Sequence, residues 1–176
     1  MITIEHAVDL ARPWAVKLFE EKILPFLFNR GADFYKKEKN IFKLKSQMSD
    51  YLAKTKAQCS LINSLAFPNI LKKVNDIYVP LTLSKLDSRE TSDHIVRRGD
   101  ILLEQFKNIL IIDNAGMGKS TLMKKIVVDV IDNSGEIPIY IELRTLNNSP
   151  IIDQIKNLIG LDSFNDDSTL KRIPFT

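Results

Sequence analysis

An apolar run, Ile109-Leu110-Ile111-Ile112, leads without a break into Asp113-Asn114-Ala115-Gly116-Met117-Gly118-Lys119-Ser120-Thr121. Leu122 to Ile131 then continues with helical periodicity. Few arrangements accommodate that order. A strand buried on both faces fits the run, a glycine turn follows it, and a helix starts where the turn ends. Glycine is scarce, six in 176 residues, yet two of the six lie in this one turn.

The residue types are those needed by a loop wrapped around a phosphate. Such a loop points successive backbone N–H groups inward, which demands unusual dihedral angles and no obstructing side chains; Gly116 and Gly118 meet both conditions. A helix beginning near Lys119 presents unpaired N–H groups and the positive end of its dipole to the anion. Lys119 would reach the β- and γ-phosphates as a mobile point charge. Ser120 would place a hydroxyl on Mg²⁺, a hard cation that prefers oxygen ligands. Thr121 would offer its backbone N–H to the α-phosphate. Residues 113–121 are thus the candidate nucleotide-binding set, with Ser120 the candidate metal ligand. One position departs from the usual motif, because Asp113 stands where a further glycine is expected. A carboxylate beside a triphosphate is repulsive unless it turns away or faces the metal.

The rest of the chain is organised around that loop. Residues 1–76 read as an α-helical region. An apolar stripe from Trp14 to Leu27 is interrupted by Pro25, and Arg30-Gly31 reads as a stop. From Phe34 to Phe67 there is neither Pro nor Gly. Ile41, Leu44, Met48, Tyr51, Leu52, Cys59, Ile62 and Ala66 recur there in steps that share one helical face. Lys36, Lys37, Lys39, Lys43, Lys45, Lys54 and Lys56 fall mainly off that face and read as its solvated side. After Pro68 a short helix is expected at 70–74. Residues 77–106 form an extended segment, Ile77 to Leu83 with Pro80 at an edge position, then a polar linker and a short helix from Asp100 to Phe106. Residues 107–176 hold the glycine loop.

Composition narrows the remaining possibilities. Charged residues make up 27% and the net charge is +3, a bias too weak and too scattered to argue for nucleic acid. A single cysteine, Cys59, removes any internal disulfide or cysteine-based zinc cage and places Cys59 in the apolar stripe as core. His6 and His94 have no neighbours at metal-ligand spacing and read as structural or surface residues. No apolar run reaches the roughly 18 residues of a membrane span, so a cytoplasmic protein is expected. Arg98-Gly99-Asp100 matches a cell-adhesion tripeptide by chance.

The segment from Ile111 to Leu122, with Ile137-Pro138-Ile139-Tyr140-Ile141-Glu142-Leu143-Arg144 following it, resembles the NACHT family. These are signal-transducing ATPases of innate-immune receptors and of bacterial anti-phage defence. The resemblance covers roughly residues 77–160. It implies an α/β P-loop NTPase fold, here the N-terminal half of its parallel sheet preceded by the helical region, and it implies ATP with Mg²⁺ as the ligand. No Asn-Lys-x-Asp signature supports GTP, and adenine over guanine rests on this resemblance alone.

Such an ATPase also requires a second acidic motif, an apolar strand ending in Asp, to hold the metal and polarise water. Glu142 comes too early, and Asp153 follows Ser149-Pro150, a helix start. Asp162, Asp166 and Asp167 have no strand before them. The expectation is therefore an N-terminal part of a larger protein, truncated before that motif, which binds nucleotide without support for hydrolysis. The alternative is a non-enzymatic helical module, with an idle loop remnant, that engages a protein partner or itself through residues 1–76.

Overall fold

The computed structural model describes residues 3–25, 38–64, 67–86, 93–134, 136–146 and 150–159, with side chains at 38–40, 64 and 67–69 not described. Its elements in chain order are α1 (Ile4–Leu18), α2 (Glu38–Ser60), β1 (Leu61–Ser64), β2 (Phe67–Lys73), α3 (Val74–Ile77), β3 (Leu81–Ser84), β4 (Asp93–Val96), α4 (Gly99–Gln105), α5 (Lys119–Asp129) and α6 (Ile151–Ile159). π-helical turns follow α1 at Phe19–Ile23 and α5 at Val130–Ser134, and a 3₁₀ turn lies at Leu143–Thr145. The chain divides into two units, one of Ile2–Ala57 with Gly135–Thr176 and one of Gln58–Ser134 with Met1. No described helix is long and apolar enough to cross a membrane.

In the first unit α1 begins where Thr3 caps it, its Oγ1 accepting the His6 N–H at 3.2 Å. The helix thus starts well before Trp14 and carries Pro13 in its interior. The missing N–H of Pro13 costs one helical bond, which burial of Ala11, Ala15 and Leu18 offsets. The wide turn at 19–23 then brings Phe19 and Ile23 both to full burial just before Pro25, the residue expected to disturb the helix. Phe26, Leu27 and the Arg30-Gly31 stop lie outside the described residues. Opposite this stripe, α2 buries Leu44, Met48, Tyr51, Leu52 and Ala53, and Ile137 and Ile159 complete the cluster. The Tyr51 hydroxyl donates to the Pro138 carbonyl at 3.0 Å and accepts the Tyr140 N–H at 3.1 Å. Lys43 and Lys54 are exposed, Lys45 pairs with Glu20, and Lys56 lies over the Trp14 ring. Lys43 and Lys54 thus keep to the solvated side, whereas Lys45 and Lys56 are half-buried against their neighbours. Lys36, Lys37 and the Lys39 side chain are outside the description.

The second unit departs further from helical expectations. The long helix ends at Ser60, and β1 pairs antiparallel with β2 through Leu61↔Lys73, Ile62↔Lys72 and Asn63↔Leu71. The helix expected at 70–74 is therefore strand up to Lys73, and Val74–Ile77 turns helical after it. Non-local pairing outweighs local propensity here. Pro68, which has no N–H to give, falls where the register shifts. The polar stretch after Ser84 returns as β4, pairing Leu81↔Val96 and Leu83↔His94. Both described sheets are two-stranded and antiparallel, and residues 109–112 and 137–142 belong to neither. Ile109–Ile112 alternates instead, with Ile111 packed on the core while Leu110 and Ile112 are 84% and 68% exposed. A parallel strand gains its buried faces from neighbouring strands, and no described strand pairs with this run.

That core gathers Val96, Leu102, Leu122, Ile126 and Val130, with Tyr78, Leu81, Leu83, Leu103, Phe106 and Ile111 against it. Gly99 starts α4 so close to α5 that a Cβ there would sit 2.5 Å from the Ile126 Cα. Its N–H donates to buried Asp129 Oδ2 at 2.7 Å, and Lys125 Nζ donates to Asp129 Oδ1 at 2.5 Å. Beside it Arg98 forms an ion pair with buried Asp100. The adhesion tripeptide is thus a packing corner.

Two outcomes follow from this corner. Gly99→Ala must push backbone against backbone and is expected to destabilise by about 1–3 kcal/mol, as overpacking does, measured by chemical unfolding. The Arg98 hydrogen bond holds the Asp100 carboxyl below its ordinary value, against the opposing effect of burial. Its contribution to stability is therefore complete above the unfolded value of about 4 and is lost as pH falls through the depressed folded value. Asp100→Asn should lower the melting temperature at pH 7, and that deficit should shrink at pH 3.

Candidate phosphate-binding loop

The position of the glycine loop is set from below. Leu122 and Ile126, with Val130 in the π-helical turn that continues α5, recur in steps of four and seat one face in the core, and this fixes where the helix starts. It starts at Lys119, directly after Gly118 in the left-handed region at φ 85°, ψ 7°. Gly116 also has φ 85°. The glycines and the helix start thus agree with what their residue types predict. The first helical bond runs from the Leu122 N–H to the Gly118 carbonyl at 2.8 Å. The amides from Gly118 to Thr121 precede the first full turn, and no side-chain hydrogen bond caps the helix.

Lys119 folds back over the loop. Its Nζ donates to the Asp113 carbonyl at 2.7 Å and to the Asn114 carbonyl at 2.5 Å. An ammonium has three N–H donors, so one is left for an incoming oxygen. Asp113 turns its carboxylate onto its own loop, Oδ1 accepting the Asn114 N–H at 2.7 Å. Residues 113–117 are exposed, as is Ser120, while Gly118, Lys119 and Thr121 are half-buried. The structure therefore brings the whole candidate set into one accessible turn at a helix N-terminus.

The donor set suits an anion with attached phosphates. It comprises oriented amides, a positive dipole end and a fixed ammonium with spare capacity. A Cβ at Gly116 would meet nothing within 4 Å, so that side of the loop is open. Ser120 supplies one exposed hydroxyl, a hard oxygen of the kind that could hold Mg²⁺. Glu142 and Asp153, weighed as acidic partners, lie in the other unit. Glu142 is held by Arg144 at 2.6 Å, and Asp153 sits in the first turn of α6. Asp162, Asp166 and Asp167 lie outside the described residues. His94 stacks edge-on against Phe106 at 5.5 Å, and Cys59 is buried; both are structural.

Two supporting residues escaped the sequence reading. Leu81 of β3 lies under the loop, its Cδ1 3.6 Å from the place a Cβ on Gly118 would take. Asp129 anchors the far end of α5. Its signal was present, as a lone carboxylate among Val127, Val128, Val130 and Ile131, four residues after Lys125.

At Gly118 the space is ordinary but the backbone angle is not. Gly118→Ala is expected to cost about 1–2 kcal/mol in left-handed strain, and Gly118→Asn less, since Asn tolerates that region; denaturant unfolding of the pair measures both. Compared with family models, with curated proteins and with solved structures, the chain matches none.

Proposed function

We propose that this chain is the nucleotide-binding module of a NACHT-like signalling or defence ATPase. It takes ATP with Mg²⁺ on residues 113–121, within the N-terminal part of a P-loop NTPase fold. The observation that carries the reading is Lys119, curled over the loop onto two carbonyls with one donor to spare, beside a helix start that no side chain caps. Gly116 and Gly118 hold the amides in place, Lys119 neutralises and orients the distal phosphates, and Ser120 presents its hydroxyl to the cation. When bound, Mg²⁺ would neutralise part of the phosphate charge. No residue of the described set is assigned as a base for attacking water, so the proposed role is binding. A reducing, cytoplasmic setting suits both the ligand and the buried thiol of Cys59.

Calorimetric titration of the purified chain with MgATP tests the reading. Saturable binding is expected, and Lys119→Ala should weaken it by roughly ten- to a hundredfold, the range for losing a charge-assisted hydrogen bond. Circular dichroism should show the variant folded, because Lys119 lies outside the core cluster of α5. Absence of binding, or equal affinity of the variant, would remove the nucleotide from the account.

A further inference from the structure

Asp113 is exposed at the start of the loop, and within the proposed binding set its side chain is the one carboxylate, which offers a phosphate no donor. Its position brings a full negative charge to a turn otherwise built of donors. The geometry holds it there: the Asp113 carbonyl and the Asn114 carbonyl both accept from Lys119 Nζ, while Asp113 Oδ1 accepts the Asn114 N–H. Lys119 thus spends two of its three donors, and Asp113 one of its two oxygens, on the loop's own backbone. The loop is bonded to itself, and it carries one ammonium and one carboxylate within seven residues.

We infer that Asp113 selects the charge state of the nucleotide, admitting the magnesium complex and opposing the metal-free triphosphate; the inference rests on the nucleotide reading of the loop. A metal-free triphosphate carries the larger negative charge, and the Asp113 carboxylate repels it through solvent at short range. Complexed with a dication, the same triphosphate loses much of that charge, and the repulsion falls with it. Asp113 is exposed, so the discrimination is modest and salt-sensitive. A nearby unit charge seen through water at physiological ionic strength changes the preference by about threefold, and by more at low salt. A glycine at this position, as the usual motif has, lacks the device.

The test is calorimetric titration of the full chain with ATP in excess Mg²⁺ and with ATP in EDTA, at low and at physiological salt. It compares the wild type with Asp113→Asn, whose amide oxygen can still accept the Asn114 N–H. In the wild type the magnesium complex binds more tightly than the metal-free form. In Asp113→Asn that ratio should fall about threefold, chiefly through tighter binding of the metal-free form, and the change should diminish as salt rises. An unchanged ratio in a variant that still binds MgATP overturns the role of Asp113 and leaves the nucleotide reading standing. Loss of all binding in Asp113→Asn likewise overturns it, by making the carboxylate a requirement for binding. Failure of the wild type to bind ATP in either condition removes the nucleotide reading itself, a different result from the other two.

Discussion

Everything at the glycine turn depends on how firmly α5 is held. Three aliphatic side chains, Leu122, Ile126 and Val130, tie the helix to the hairpin of β3 and β4 and to α4. Asp129 then closes the far end by taking hydrogen bonds from the Gly99 amide and from Lys125. A carboxylate with so little water around it is stable only when its oxygens are matched by donors, and here each has one. With the axis fixed at one end by charge and along its length by packing, the first turn of the helix has little freedom in where its amides point. Orientation of that kind is what lets backbone dipoles act on a ligand without reorganising first.

The turn itself was legible in the sequence because its chemistry is local. Positive φ favours glycine, a helix start leaves amides unpaired, and a lysine one residue past the second glycine can reach back to the loop; Gly116, Gly118 and Lys119 satisfy these conditions. The apolar stripes of α1 and α2 were legible for the same reason, since steps of three and four reveal a buried face wherever the partner lies.

What escaped was whatever depends on a distant partner. Ile62 and Ala66 continue the helical spacing of α2, yet Leu61–Asn63 pair with Leu71–Lys73 instead. β4 consists of only four residues beside a charged stretch, too short to announce itself. Residues 109–112 show the limit most plainly. Four consecutive aliphatics say that burial is wanted on two sides, but the pattern holds no information about what supplies it, and in the described residues only Ile111 finds the core. The corner at Arg98, Gly99 and Asp100 was opaque because its meaning lies in Ile126 and Asp129, some thirty positions further on.

Tyr51 gives the division of the chain a temporal meaning. Its hydroxyl serves Pro138 and Tyr140, and the cluster around it also takes Ile137 and Ile159, so the helices that open the sequence are finished by residues from its later part. The whole of Gln58–Ser134 lies between those segments and forms a unit of its own. As the polypeptide leaves the ribosome, the inserted stretch can close on contacts already made, whereas the opening helices must hold an incomplete apolar face until residues beyond Ser134 arrive. The entropy of closing so long an intervening loop falls once that loop is itself compact. The segment carrying the glycine turn thus has its own contacts within the chain before the opening helices have all of theirs.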